Sequence, residues 1–133
     1  MNGTFYMVGE DKSLGTRFPN VNCYSSPNLV EWTYVGSLLN EQSLQEYKVI
    51  ERPKVLFNPQ TRKYVLYMHA DSGDYKLARV GVATSDSVCG KYTFRRGFRP
   101  LGHESRDMGV YQEPDGSAYL LSEDVSQPPQ TSS

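Results

Sequence analysis

The sequence has no surplus of charge: among its 133 residues, 14 Lys and Arg stand against 15 Asp and Glu, for a formal net charge of -1. That balance excludes the basic footprint by which a domain holds nucleic acid or an anionic membrane surface, and an uncharged partner fits it better. Long apolar runs are absent too. Nothing approaches the ~20 residues of a membrane-spanning helix, and Met1 leads into Asn2-Gly3-Thr4 without the basic start and apolar core of an export signal. Cysteine is scarce. Cys23 and Cys89 could form one disulfide or remain as two buried thiols, and both readings stay open. Histidine is equally scarce, and His69 and His103 lack Cys or carboxylate neighbours at ligand spacing, so no metal and no other cofactor is expected. Neither Ser25-Ser26 nor Ser85-Asp86 sits in the Gly-x-Ser-x-Gly context of a serine nucleophile. Helix is nearly missing, with only 40–47 having a helical look.

Aromatic residues are plentiful: ten Tyr, five Phe and one Trp, set among 11 Gly and 8 Pro. This composition suits short strands and tight turns. Thr4-Phe5-Tyr6-Met7-Val8, Tyr64-Val65-Leu66-Tyr67-Met68 and Ala118-Tyr119-Leu120-Leu121 each follow a turn signal and read as strands. Turn chemistry stands at Asn2-Gly3, Asn58-Pro59, Ser72-Gly73 and Asp115-Gly116, the last being the usual dipeptide of a two-residue hairpin loop. The chain is read as all-β, with material for one modest core.

A repeat organises these strands. Aligning Gly3 with Arg62 and Gly116 brings the three strands into register at spacings of 59 and 54 residues. The register continues downstream, with Cys23-Tyr24-Ser25-Ser26 over Val82-Ala83-Thr84-Ser85 and Trp32-Thr33-Tyr34 over Tyr92-Thr93-Phe94. Units of this length with three or four short strands are the size of propeller blades, which bury both faces only between neighbouring blades. The reading is therefore two to three blades of a β-propeller over 1–124, followed by a polar, Pro-rich tail over 125–133. Trp32 and Tyr92 should occupy matching outer-strand positions with buried rings. Exposed blade edges are expected to favour self-association.

Several spaced motifs resemble glycoside hydrolase family 43. They are Gly9-Glu10, Cys23-Tyr24-Ser25-Ser26 with Leu29-Val30-Glu31-Trp32, Ile50-Glu51-Arg52-Pro53-Lys54-Val55, Ser105-Arg106-Asp107-Met108, and Asp115-Gly116-Ser117-Ala118-Tyr119. The likeness is strongest to the branch that includes exo-β-1,3-galactanases. It implies a fragment of a five-bladed propeller, a carbohydrate substrate at the centre of one face, an inverting mechanism without a cofactor, and a secreted parent enzyme. The alternative is a catalytically inactive propeller fragment that binds carbohydrate or protein.

An inverting glycosidase sets an acid and a base about 6.5 to 9.5 Å apart across the scissile bond. A third carboxylate near the acid favours its protonated form by like-charge repulsion. On this resemblance Asp107 matches the aspartate that tunes the acid, and Glu51 stands beside the cleaved sugar or its water, with a role as base left open. Glu10 and Tyr75 match residues lining the sugar pocket, as hydroxyl acceptor and aromatic platform. The general acid, a Glu of the following blade, is expected beyond Ser133. The ordinary alternative for Glu51 and Asp107 is an ion pair with the adjacent Arg52 and Arg106.

Overall fold

Runs of β-branched and aromatic residues, interrupted by Gly, Pro and Asn, pair into antiparallel meanders. The computed structural model describes residues 3–44 and 46–125. Among these, β1 (Phe5–Glu10), β2 (Asn20–Ser26) and β3 (Thr33–Asn40) form one sheet, and β4 (Val49–Asn58), β5 (Lys63–Asp71), β6 (Arg79–Ser85) and β7 (Thr93–Phe98) form a second. The hairpin of β8 (Met108–Gln112) and β9 (Ala118–Ser122) is a third. Strand order follows chain order in each sheet. β4 packs against β1 on one side and β8 on the other, which sets the three sheets side by side as blades.

The repeat read from the sequence is present in the backbone. β5 and β9 are the second strands of their sheets, and β1 aligns with them. Gly3, Arg62 and Gly116 all adopt positive φ, at 70°, 58° and 96°. Such a conformation costs an L-residue like Arg62, and the hydrogen bond from its N–H to the Asn58 carbonyl, at 2.8 Å, helps to hold it. The third and fourth strands repeat in more detail. Pairing of β2 with β3 slips by one residue between Cys23 and Tyr24, and pairing of β6 with β7 slips between Val82 and Ala83, 59 positions later. Ser26 and Ser85, also 59 apart, each turn the hydroxyl back to accept a backbone N–H two residues on.

The main core lies between the first two blades. Val21 and Cys23 of β2 and Leu38 of β3 are buried together with Leu66 and Met68 of β5. By contrast Phe5, Tyr6 and Met7 of β1, and Tyr111, Tyr119 and Leu121 of the β8–β9 hairpin, are exposed at the two ends of the array. Cys23 and Cys89 are joined as a disulfide, which ties β2 of the first blade to the β6–β7 connection of the second.

Two expectations are corrected. Tyr92 is buried and donates its hydroxyl to the Val88 carbonyl, but Trp32 is only half-buried, because it precedes β3 at an outer corner. The β8–β9 loop is longer than two residues. Its Glu113 N–H bonds the Ser117 carbonyl, enclosing Pro114, Asp115 and a left-handed Gly116, and Asp115 caps the Ser117 N–H. Pro114 fixes the first turn position and moves the glycine to the end of a three-residue turn. Among the described residues of 40–47 there is one 3-10 turn, Glu41–Ser43, capped by the Asn40 side chain. The turn residue Asn2 and the tail from 126 to 133 lie outside the described residues.

The disulfide spans a sequence separation of 66 residues, so closing that loop in the unfolded chain stabilises the fold by roughly 4 kcal/mol. A Cys23→Ser/Cys89→Ser variant should lose about that much in urea unfolding. A loss under about 1 kcal/mol would show that the bond constrains little.

Candidate active site

The site is built outward from one buried carboxylate. Asp71 ends β5 with no solvent exposure. Its Oδ1 accepts the backbone N–H groups of Ser72, Leu77 and Ala78, at 2.9, 2.9 and 3.0 Å, which folds residues 72–78 into a loop around it. Its Oδ2 lies 2.7 Å from Nε2 of His69 and 3.7 Å from Nη1 of Arg106. Arg106 and Arg99 cap the loop's carbonyls, Arg106 at Tyr75 and Arg99 at Lys76 and Leu77. The Ser105 N–H bonds the Ala78 carbonyl, so this loop also fixes the segment that leads into β8.

The loop aims Tyr75, which has a φ of 60°. Non-glycine residues in that region are strained and persist only when their surroundings hold them. The Tyr75 hydroxyl donates to Oε2 of Glu51 at 3.0 Å. Burial, and then the hydrogen bond to a carboxylate that would repel a phenolate, push its pKa up to about 12. Tyr75 therefore stays a donor at any ordinary pH.

Glu51 and Arg52 are set by a β-bulge. Glu51 pairs with His69 and Lys54 with Tyr67, so β4 carries one extra residue here. Arg52 takes a φ of 54° and Pro53 has no N–H to give the ladder. The bulge turns two consecutive side chains to one rim. Oε1 of Glu10, the last residue of β1, accepts the Arg52 backbone N–H at 2.7 Å.

Five charged groups follow from these placements. Lys12 lies 3.6 Å from Glu10 and 2.8 Å from Glu51, bridging the first two blades. The Arg52 guanidinium reaches Asp107, immediately before β8, at 3.1 Å, bridging the second and third. The structure thus brings Glu10, Glu51, Tyr75 and Asp107 to one rim, at the same ends of the blades. The sequence-adjacent ion pairs do not form. Glu51 pairs with Lys12 rather than Arg52, and Arg106 bonds Glu104 while Asp107 takes Arg52. A carboxylate–cation–carboxylate row of this kind can accept hydrogen bonds from hydroxyls and hold its charge without a metal.

Sequence reasoning missed Asp71, His69 and Arg106 as parts of the site. His69 carries a signal in the sequence, since an ionisable residue one strand-pair step from Asp71 shares its face. Asp71-Ser72-Gly73-Asp74 reads as an ordinary turn until the loop's N–H groups are seen to converge on one oxygen.

Side-by-side antiparallel blades with carboxylates gathered at one rim define the class, part of an acidic-rimmed β-propeller. The chain belongs to glycosyl hydrolases family 43, which it matches over residues 1–132. The fold of that family is a five-bladed propeller, of which these sheets are a fragment. The chain is 41% identical to an exo-β-1,3-galactanase from Phanerochaete chrysosporium solved with β-1,3-galactotriose, with a TM-score of 0.89 over 95% of this chain and 31% of that one. The same fungal enzyme has also been solved with galactose, at a TM-score of 0.88, 41% identity and the same coverage of the two chains. An exo-β-1,3-galactanase from Clostridium thermocellum is 36% identical, with a TM-score of 0.86 over 92% of this chain and 30% of that one. The chain spans about a third of the length of each. No curated protein matches it.

Two outcomes test this arrangement. Asp71→Ala leaves a buried imidazole and three backbone N–H groups without their acceptor, and should destabilise the chain by about 3 to 5 kcal/mol in denaturant unfolding. A cost below about 1 kcal/mol would show that the loop holds itself. The raised Tyr75 pKa means that the hydrogen bond it makes is fully present below the ordinary tyrosine value and is lost as pH rises through about 12. Spectrophotometric titration of Tyr75→Phe should therefore lack one late-titrating phenol; loss of one that titrates at an ordinary pH would contradict the placement.

Proposed function

We propose that the polypeptide carrying these blades is an exo-acting, inverting glycosidase that hydrolyses O-glycosidic bonds in galactan-type side chains of plant polysaccharides. The observation that carries the reading is the joining of Glu10, Glu51 and Asp107, from three successive blades, into one rim through Lys12 and Arg52. Substrate class is supported by the relatives, which are named exo-β-1,3-galactanases, the fungal one having been solved with galactose and with β-1,3-galactotriose. Residues 1–124 are part of the catalytic domain in this reading, and 125–133 a tail.

Each residue has a role that its surroundings suit. Glu10 and Glu51 accept hydroxyls of the sugar, and Glu51 stands next to the attacked carbon or its water. Asp107 is more exposed than either, and in this reading it favours the protonated form of the general acid by like charge. Tyr75 offers its ring beside the sugar while its hydroxyl holds Glu51. The Cys23–Cys89 bond supports an oxidising, secretory setting for the parent enzyme. With the acid on a further blade, the 133 residues alone are a poor catalyst.

The test is kinetic. In the polypeptide that includes the remaining blades, Asp107→Asn and Glu51→Gln should each lower turnover of β-1,3-galactotriose by roughly 100- to 10,000-fold. For Asp107→Asn, KM should change little, because a residue that tunes the acid acts on the chemical step. Unchanged turnover in both variants removes these carboxylates from the mechanism.

A further inference from the structure

His69 is only 2% exposed on β5, and burying an imidazole is costly unless its ring nitrogens find partners. Nε2 has one in Asp71 Oδ2 at 2.7 Å. Nδ1 is buried with no hydrogen-bond partner, and Oε1 of Glu51 stands 3.5 Å from it. The charged and titratable groups around the ring come from every side of it. Glu51 stands opposite on β4, Asp71 two residues on along β5, and the Tyr75 ring lies 6.0 Å away in the loop. Arg106 acts through Asp71 from the segment before β8, while the neighbour on β6 is the apolar Val80.

Asp71 accepts three backbone N–H groups on its other oxygen, as an ionised carboxylate does, so the hydrogen between it and His69 belongs to Nε2. A ring protonated there alone would turn the bare lone pair of Nδ1 toward Glu51. Glu51 itself accepts the Lys12 ammonium and the Tyr75 hydroxyl on Oε2, so the carboxylate already acts as an acceptor. Two acceptors would then face each other in a poorly solvated place. We propose that Glu51 and His69 share one proton, carried on Nδ1 and directed at Oε1, and that His69 is thereby the positioning residue that orients the Glu51 carboxylate.

The arrangement clamps Glu51 at both oxygens. Oε1 is turned inward to His69, and Oε2 is presented at the rim with Lys12 and Tyr75. Its consequence for hydrolysis rests on the reading of Glu51 as a substrate-facing carboxylate, but the proton itself does not, so its test involves no catalysis.

Long-range proton–nitrogen NMR of the imidazoles in the 133-residue chain reads both ring nitrogens directly. At mildly alkaline pH an ordinary histidine carries one ring proton. His69 should show protonated-type signals at both nitrogens there, and His103→Gln, on the surface, identifies which signals are its own. In Glu51→Gln the Nδ1 proton signal should be lost, because the amide NH2 donates to a bare nitrogen. A bare Nδ1 in the unaltered chain, whether empty or met by a water, overturns the proposal, as does an Nδ1 proton that persists in Glu51→Gln. Should that variant not fold, the spectrum of the unaltered chain decides alone. Loss of activity in the parent enzyme without these signals would support Glu51 in the site and refute the shared proton.

Discussion

The loop that orders the rim on the second and third blades depends on the burial of Asp71. A carboxylate without solvent must find its hydrogen bonds within the fold, and here the cheapest donors are the backbone N–H groups of the loop that follows it. Satisfying Asp71 therefore dictates the path of residues 72–78. That path lifts Tyr75 into a left-handed conformation and points its hydroxyl at Glu51. The other oxygen of Asp71 meets His69 behind Glu51, and Arg106, which leads to Asp107. One buried charge thus sets the positions of groups on two blades.

Across the blades, the same economy appears as alternation of charge. Glu10, Lys12, Glu51, Arg52 and Asp107 form a row in which each carboxylate has a cation at hand. Exposed pairs of this kind contribute little stability individually, and their value here lies in geometry. They fix carboxylates from separate sheets relative to one another without burying them, so their outer lone pairs remain free for a ligand. The bulge in β4 makes the row continuous, because it turns both Glu51 and Arg52 toward the rim where a regular strand would send them to opposite faces.

Much of the fold was legible because it repeats. Gly3, Arg62 and Gly116 align in the sequence and share a left-handed backbone, and the slips at Cys23 and Val82 follow the same 59-residue spacing. Asp107 and Glu51 were legible through their motifs. Their partners were not, since adjacent arginines invited local ion pairs, whereas Arg52, turned to the same rim as Glu51, crosses to Asp107 on the next blade. Asp71 and His69 were illegible as a pair because only tertiary burial makes a turn aspartate into an organising centre. The half-burial of Trp32 was not legible, since the repeat fixes position along a strand but not how far a neighbouring blade covers it.

On the proposed function, three blades meet in one sugar-binding rim, and chemical-shift mapping of the chain with galactose reads that rim residue by residue. Perturbations should gather at Glu10, Glu51, Tyr75 and Asp107 and their immediate neighbours. Perturbations confined to the opposite ends of the strands, around 57–60 and 112–118, would contradict it.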